Sequence, residues 1–218
     1  MVGVTALSGG AWYCIDRTEV TNAQYAAFLS GAAVDASAQP SECSWNASFD
    51  PSQGWPATGK DDHPVVYVDW CDAHAYCAWS GKRLCGKIGG GSNPTSAGAS
   101  AAASQWYNAC SNHGLLTYPY GDSWTGLCND WWHGVLATTA VASLASCAGG
   151  VPELYDMCGN VWEWEDSCSA ASGAADVCLA RGAGFDIKPT NTLKCAYAGT
   201  TPARSSQLAN VGFRCCMD

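Results

Sequence analysis

A run of eleven residues from Leu154 to Trp164 places two carboxylates, a turn former and two large rings close together. Asp156 and Glu163 flank a Gly159-Asn160 step, which favours a tight turn with positive φ. After that turn, residues 161–164 alternate in the period of a β-strand. Hard cations such as Ca²⁺ bind carboxylate oxygens and the backbone carbonyls that irregular turns leave free. The run therefore predicts either a cation-binding loop or a plain hairpin that packs on its tryptophans.

Three helices are predicted ahead of this run. Thr21 and Gln24 have the spacing of a capping box, and Gly31 is expected to end the helix that follows. Asp69 is expected to begin a second helix that ends at Gly81. Its predicted buried stripe consists of Ala73, Tyr76 and Cys77. A third, short helix is expected over residues 105–110.

The remaining segments are typical of loops. Residues 89–103 are mostly Gly, Ser and Ala, which predicts a flexible surface insertion. From Tyr118 onward Gly, Pro, Asn and aromatic residues recur with few helical periods, so we expect loops held by short strands and disulfides. These patterns indicate a loop-rich α+β fold.

Length and composition limit the class of protein. A chain of 218 residues suits one domain, here residues 1–218, and 48% hydrophobic against 13% charged residues excludes a disordered tail or a coiled coil. A net charge of −9 argues against nucleic acid as partner and is compatible with divalent cations. The uncharged stretch of residues 135–151 contains Thr, Ser and a Gly-Gly pair, so no membrane span is predicted there.

Fourteen cysteines spread along the chain favour a disulfide framework and an exported protein. Residues 1–10 lack the basic start and apolar core of a signal peptide, so the sequence is interpreted as a mature chain. Cys168 and Cys178 bracket a loop of small residues that they are expected to close, as Cys128 and Cys147 are expected to close another. The disulfide candidates are Cys128, Cys147, Cys168, Cys178, Cys195 and Cys215.

Two further cysteine patterns have alternative interpretations. Cys71, His74 and Cys77 have spacings that suit zinc, but a fourth ligand is not evident, so disulfides to Cys85 or elsewhere are favoured. Cys215 and Cys216 are neighbours on a predicted strand, where side chains point to opposite faces. They should therefore have different partners, the alternative being a reactive vicinal pair.

Taken in chain order, several segments resemble the formylglycine-generating-enzyme (sulfatase-modifying factor) family. The central Gly-Asn-Val-Trp-Glu-Trp sequence and the Gly-Phe-Arg sequence at residues 212–214 are the most specific of them. The matching segments are residues 14–22, 63–70, 75–84, 118–122, 154–164, 181–185 and 211–215. The resemblance implies a single elaborated C-type-lectin-like domain that spans nearly the whole chain.

The resemblance also implies calcium sites. Carried over by position, the first site has Asp156 and Glu163 as side-chain ligands and Gly159 and Val161 as carbonyl ligands. A second site would fall on Asn129 and the carbonyl of Asp130. Its later ligands would lie in residues 131–142, which do not align with the family.

The family's enzymatic chemistry is a copper-dependent oxidation of a substrate cysteine to formylglycine. The copper-binding cysteines of the family would fall near Ile187 and Thr192, and Cys195 is the sole cysteine in that window. One thiolate cannot reproduce a two-thiolate site for Cu(I). Ala183 and Gly184 also stand where the family's motif has Gly and Ser. The departure predicts a relative without oxidase activity and without copper.

Residues 186–210 lie between two matching segments and are rich in side chains that form adaptable hydrogen bonds. In lectin-like relatives, including hypervariable proteins diversified by retroelements, this region forms the ligand-binding face. The residues expected on such a face are Asp186, Lys188, Thr190, Asn191, Lys194, Tyr197 and Arg204. The alternative is an ordinary solvated loop held by Cys195.

Together these observations predict a secreted or cell-surface, calcium-stabilised module that binds or displays, with a protein or glycan as the unknown ligand. One alternative is a copper-dependent oxidase that uses a cysteine pair elsewhere in the chain. Another is a structural subunit of an extracellular assembly.

Overall fold

Short strands, short helices and long loops alternate along the chain. The structure is a computed structural model that describes residues 1–6, 12–31, 39–188 and 191–218. Within these ranges the helices are α1 (Asn22–Ser30), α2 (Trp70–Trp79) and α3 (Gln105–Cys110). The strands are β1 (Val2–Thr5), β2 (Trp12–Ile15), β3 (Arg83–Leu84), β4 (Trp162–Cys168), β5 (Cys178–Arg181), β6 (Val211–Phe213) and β7 (Cys215–Met217). The predicted α+β class and the loop-rich character are confirmed.

The strands form two sheets. The larger sheet has the order β1-β2-β7-β3 with antiparallel neighbours, so the last strand of the chain lies inside it. The smaller sheet has the order β5-β4-β6, in which β4 is antiparallel to β5 and parallel to β6. Because β6 and β7 are separated by Arg214 alone, the chain passes from one sheet to the other at this residue. The central strand β4 begins at the end of the Leu154 to Trp164 run.

The helix starts predicted from capping patterns are confirmed. Thr21 accepts a hydrogen bond from the Gln24 backbone, and the Gln24 side chain accepts one from the Thr21 backbone. Asp69 and Asp72 form the same reciprocal pair at the start of α2. These contacts satisfy N–H groups that the first helical turn leaves unpaired.

The core is mainly aromatic between α1, α2 and the sheets. Tyr25 and Phe28 of α1 and Tyr76 of α2 are buried and have ring centroids 5.2–5.7 Å apart. Phe213 of β6 closes the cluster, with its ring centroid 5.4 Å from that of Tyr76. Offset and edge contacts of this kind add to the hydrophobic gain from ring burial. The smaller sheet is therefore held against both helices.

The segment 89–103 is less detached than its composition predicts. The backbone N–H of Asn93 donates to the carbonyl of Asp166, and the Asn93 side chain is buried. A Cβ on Gly98 would lie 2.8 Å from the guanidinium of Arg181, so the backbone passes directly over that side chain. The segment is mostly exposed, as expected of a surface insertion, but its small residues allow a close approach to β4 and β5 at these points.

Six disulfides link the described residues, and they include the two predicted pairs, Cys128–Cys147 and Cys168–Cys178. Cys215 and Cys216 pair with Cys77 and Cys85, as expected for neighbours on opposite faces of a strand. The remaining disulfides are Cys43–Cys71 and Cys110–Cys195. Such a framework requires an oxidising environment.

The zinc alternative for Cys71, His74 and Cys77 is excluded in this structure, because both cysteines are in disulfides and His74 stacks on Trp70. The favoured alternative, disulfides to Cys85 or elsewhere, is confirmed with partners other than Cys85, which itself pairs with Cys216. No helix within the described ranges has the length and apolar character needed to cross a membrane.

Candidate functional site

The Leu154 to Trp164 run folds as an irregular loop with three residues in the left-handed region. Asp156, Gly159 and Asn160 have φ values of 56°, 79° and 60°. A Cβ on Gly159 would lie 2.7 Å from the carbonyl oxygen of Asn129, so this position also needs a glycine on steric grounds. The loop therefore brings residue 129 directly against its turn.

Asp156 is buried at the start of this loop. Its Oδ2 accepts a hydrogen bond of 2.6 Å from the backbone N–H of Ala142. Burial raises the pKa of the Asp156 carboxyl to about 6, although the bond from Ala142 opposes the shift. A buried carboxylate with one neutral donor lacks a full counter-charge.

Glu163, the second predicted side-chain ligand, lies on β4 and is fully buried. Arg214 donates from Nη2 to Oε1 at 2.6 Å and from Nε to Oε2 at 2.7 Å. Trp106 Nε1 donates to Oε2 at 2.8 Å. Each oxygen accepts up to two bonds, so Oε1 has room for one more partner in this set of contacts.

A third buried carboxylate, Glu19, joins this group from a distant part of the chain. Asn160 Nδ2 donates to Glu19 Oε1 at 3.0 Å, whereas Oε2 is buried without a partner. Burial, followed by the charges of Asp156 and Glu163, raises the pKa of Glu19 well above its ordinary value. Glu19 was not among the predicted site residues, because nothing near it in the chain indicates the contact with Asn160.

We refer to Glu19, Asp156, Glu163 and Arg214 as the buried acidic cluster. When ionised, its three carboxylates exceed its one guanidinium by two charges. A cleft of about 410 Å³ is lined by Glu19 and by Ala142 and Tyr155, which are both neighbours of Asp156. A surplus of two negative charges beside a cleft fits a divalent cation with oxygen ligands.

The carboxylate oxygens of the buried acidic cluster do not converge on one point. Among the described residues, the sole group with three His, Cys, Asp or Glu ligand atoms within 4.8 Å of one another is Cys110, Cys158 and Cys195. Calcium at Asp156 and Glu163 would therefore need oxygens of other kinds. The carbonyls of Gly159 and Val161, which the family resemblance implies, are of that kind.

The second predicted calcium pair, Asn129 and Asp130, has two different environments. Asn129 Nδ2 donates to the carbonyl of Ala137 at 2.9 Å, and its Oδ1 is buried without a partner. The Asp130 carboxylate accepts bonds from the backbone N–H groups of Trp132 and His133 and caps the short helix Trp131–His133. The predicted ligand atom of Asp130 is its backbone carbonyl, which accepts a bond of 3.0 Å from the backbone N–H of His133. Asn129 Oδ1 is thus the atom of this pair that has no protein partner and suits a cation.

The positions expected for copper-binding cysteines lie beside a disulfide. Ile187 is half-buried, Thr192 lies in the short helix Asn191–Leu193, and Cys195 is bonded to Cys110. Among the described residues the free cysteines are Cys14 on β2 and Cys158. Cys14 is not part of the sulfur group that contains Cys158.

The segment expected to bind ligand has an exposed side. Asp186, Lys188, Asn191 and Tyr197 are exposed, and Lys194 is half-buried. Both oxygens of Asp186 accept bonds of 3.0 Å from Asn210 Nδ2. Thr190 lies outside the described residues.

Arg204 does not belong to this exposed side, which corrects the prediction. It is 1% exposed, and its guanidinium lies 4.5 Å from the centroid of the Trp70 ring. Nη2 donates to the carbonyl of Ala170 at 2.7 Å and to Asp176 at 3.3 Å. The aromatic contact and the ion pair explain the burial of this charged side chain.

Two tryptophans that the sequence did not single out lie next to the exposed segment. Trp131 and Trp132 are 38% and 67% exposed. Lys188 Nζ lies 5.1 Å from the centroid of the Trp131 ring, and the backbone N–H of Trp131 donates to the carbonyl of Ile187. The available signal was the Asn-Asp-Trp-Trp sequence, in which Asp130 caps a turn that presents both rings. We call Trp131, Trp132, Lys188, Asn191 and Tyr197 the exposed aromatic surface.

Comparison with known proteins identifies the class of this fold. Residues 10–218 match the family described as the Sulfatase-modifying factor enzyme 1-like domain, and the chain belongs to this family. The solved structure of PvdO from Pseudomonas aeruginosa is similar with a TM-score of 0.63 at 19% identity, covering 95% of this chain and 80% of that one. At this identity the likeness shows the fold alone.

Relatives in this family differ in their stated activity. The chain is 32% identical over 192 residues to the Inactive C-alpha-formylglycine-generating enzyme 2 of Bos taurus, covering 78% of this chain and 55% of that protein. It is also 32% identical over 194 residues to the Formylglycine-generating enzyme of Streptomyces coelicolor, covering 74% and 54%. The chain thus spans about half the length of these curated relatives. Its sequence identity to the protein named inactive equals its identity to the protein named as an enzyme.

Proposed function

We propose that this protein is a calcium-stabilised, lectin-like binding or display domain that lacks the copper oxidase chemistry of the formylglycine-generating enzymes. One observation carries the proposal: Cys195, the sole cysteine near the expected copper positions, is buried in a disulfide with Cys110. A Cu(I) site needs soft ligands such as thiolates. Ile187 and Thr192 supply none.

Calcium has a structural role in this proposal. Its ligands are Asp156, Glu163 and the carbonyls of Gly159 and Val161, and the ion neutralises the charge that Arg214 leaves uncompensated. Glu19 Oε2 and Asn129 Oδ1 are buried without a hydrogen-bond partner. Glu19 contacts the loop at Asn160 and Asn129 contacts it at Gly159, which supports a cation in this region. The cation joins the loop to the start of β4 and so stabilises the fold.

The exposed aromatic surface is the binding site in this proposal, and its chemistry favours a glycan. Exposed tryptophan rings provide flat apolar faces for sugar rings, while Lys188 and Asn191 supply hydrogen-bond donors and acceptors. Asp130 holds the backbone that presents Trp131 and Trp132, so the rings are ordered before a ligand binds. Six disulfides support a secreted or cell-surface location for such a domain.

The proposal is tested by metal analysis, thiol titration and ligand screening of one preparation. We expect bound calcium, no copper after incubation with Cu(I), and binding on a glycan array that is lost in Trp132→Ala. The thiol titration should detect Cys14 alone in the native protein. In denaturant it should detect both free cysteines, Cys14 and Cys158. Stoichiometric copper bound by a pair of reactive native thiols would overturn the proposal.

A copper-dependent oxidase is the second candidate, and the similarity to the Streptomyces coelicolor enzyme favours it. It requires two thiols that can approach one copper ion. The assay is incubation with Cu(I), oxygen and a cysteine-containing peptide, followed by mass spectrometry of the peptide. Conversion of the peptide cysteine that is abolished by Cys158→Ser and retained by Cys14→Ser would support this candidate over the first.

A further inference from the structure

Three sulfur atoms from distant parts of the chain meet in the core. Cys110 ends α3, Cys158 lies in the loop between Asp156 and Gly159, and Cys195 follows the short helix Asn191–Leu193. Their Sγ atoms all lie within 4.8 Å of one another, and each residue is at most 1% exposed. Cys110 and Cys195 are bonded, and Cys158 is free.

The position of Cys158 is fixed by contacts on several sides. Its Sγ donates a hydrogen bond of 2.8 Å to the carbonyl of Leu193, two residues before Cys195. The charged and titratable groups that act on this thiol, or on which it acts, are Glu163 on β4, Arg181 on β5, Arg214 after β6, and Tyr118 and Tyr120.

We propose that Cys110, Cys158 and Cys195 form a single thiol–disulfide exchange unit. The Cys158 thiolate attacks one sulfur of the Cys110–Cys195 disulfide and forms a new S–S bond with it. The other sulfur leaves as a thiolate and takes up the proton that Cys158 released. One disulfide and one thiol are present before and after the step, so it needs no external oxidant or reductant.

Exchange changes how the segment 191–197 is anchored. The Cys110–Cys195 disulfide ties this segment to α3. A Cys158–Cys195 disulfide ties it to the loop of Asp156 instead, and a Cys110–Cys158 disulfide leaves it without a covalent anchor. Because Asn191 and Tyr197 lie in this segment, the exposed aromatic surface differs between the isomers, independently of what it binds.

The test locates the free thiol in the folded protein over time. The background variant is Cys14→Ser, which removes the other free cysteine and lies outside the sulfur group. Samples held at neutral and alkaline pH are quenched with acid, alkylated in acidic denaturant and mapped by mass spectrometry. We expect label at Cys110 or Cys195 to appear with time, because each exchange step moves the free thiol to another sulfur of the group. Label that stays on Cys158 alone at every pH and time would overturn the proposal.

A second variant tests the same geometry without relying on the exchange rate. Cys110→Ser leaves Cys158 and Cys195 as neighbours, and in a glutathione disulfide buffer we expect them to bond. Cys14 would then be the one remaining free thiol in denaturant. The matched control is Cys168→Ser, which removes the disulfide partner of Cys178, a residue outside the sulfur group. In this control Cys178 should stay a free thiol, as should Cys14 and Cys158. Free Cys158 and Cys195 in the folded Cys110→Ser variant would contradict the proposed geometry.

Discussion

Arg214 holds both carboxylate oxygens of Glu163, through Nη2 at 2.6 Å and Nε at 2.7 Å, in the interior of the protein. One of the two predicted side-chain ligands for calcium thus already has a cation of the protein's own. Within the described ranges, neither Asp156 nor Glu19 forms an ion pair. The need for a bound cation therefore rests on those two carboxylates more than on Glu163.

Arg214→Met should strongly destabilise the protein, because it leaves the Glu163 carboxylate buried without its partner. Breaking one side of a buried pair costs about 3–5 kcal/mol of unfolding free energy. Urea unfolding monitored by tryptophan fluorescence measures this change. The control is Lys82→Met, which breaks the half-buried pair with Asp16 and should cost about 1 kcal/mol or less.

A double variant tests the same ion pair if Arg214→Met does not fold. The double variant Glu163→Gln with Arg214→Met removes both charges, so part of the lost stability should return. A double variant less stable than Arg214→Met alone would show that the pair acts through packing and not through charge.

Calcium should stabilise the folded protein. For a ligand at about 100 times its dissociation constant the gain is about 2.7 kcal/mol, which appears as a higher melting temperature. Differential scanning fluorimetry with calcium and with chelator measures it. Asp156→Asn should remove the response, whereas Glu153→Gln, an exposed carboxylate three residues away, should retain it. Equal melting temperatures with calcium and with chelator would reject the calcium site.

Stability should fall as pH rises through the acidic and neutral range because of the carboxyl pair that caps α2. Burial raises the pKa of Asp69 to about 6, and burial together with Asp69 raises the pKa of Asp72 to about 8. The ordinary Asp pKa in an unfolded chain is about 4, so between about pH 4 and 8 the folded state binds more protons than the unfolded state. Unfolding free energy therefore decreases across this window, by at most about 1.4 kcal/mol per pH unit for each group.

Asp72→Asn isolates that contribution, because the amide does not titrate and also removes the repulsion on Asp69. Urea unfolding at a series of pH values should give a flatter profile for Asp72→Asn than for the parent. Asp61→Asn, which changes an exposed carboxyl, should leave the profile of the parent unchanged. A parent profile that rises across the window would contradict the assignment.

Trp132→Ala should weaken glycan binding about tenfold or more, since large aromatic side chains dominate recognition surfaces. Its ring is 67% exposed, so the melting temperature should change little. Isothermal calorimetry with a glycan identified on the array measures the affinity. Leu115→Ala is the matched control, because Leu115 is 72% exposed and lies outside the exposed aromatic surface. Equal losses in the two variants would indicate a non-specific effect of surface hydrophobicity.

Local patterns predicted local structure well in this chain. The capping box of Thr21 and Gln24 and the acidic start of α2 depend on residues within one helical turn, so the sequence alone identifies them. The tight turn at Gly159-Asn160 follows from the same kind of local preference. The short loops closed by Cys128–Cys147 and Cys168–Cys178 span 19 and 10 residues and were also predictable.

Contacts between distant segments were not predictable from the sequence. Glu19 reaches Asn160 over 141 residues, and Cys77 reaches Cys215 over 138, so no spacing rule indicates either contact. Arg204 was expected on a binding face because it lies in the segment 186–210, yet Trp70 and Asp176 provide partners for it in the interior. The approach of Cys158 to Cys110 and Cys195 was likewise not predictable, since their three segments meet only in the folded chain.

The interior place of β7 in the larger sheet has a consequence for biosynthesis. Residues 215–217 pair with both β2 and β3, and they also carry the sulfur partners of Cys77 and Cys85. A growing chain therefore cannot close this sheet before its last strand has been synthesised. Until then Cys77 and Cys85 remain without their native partners, so wrong disulfides formed early would have to be reshuffled by an isomerase after synthesis.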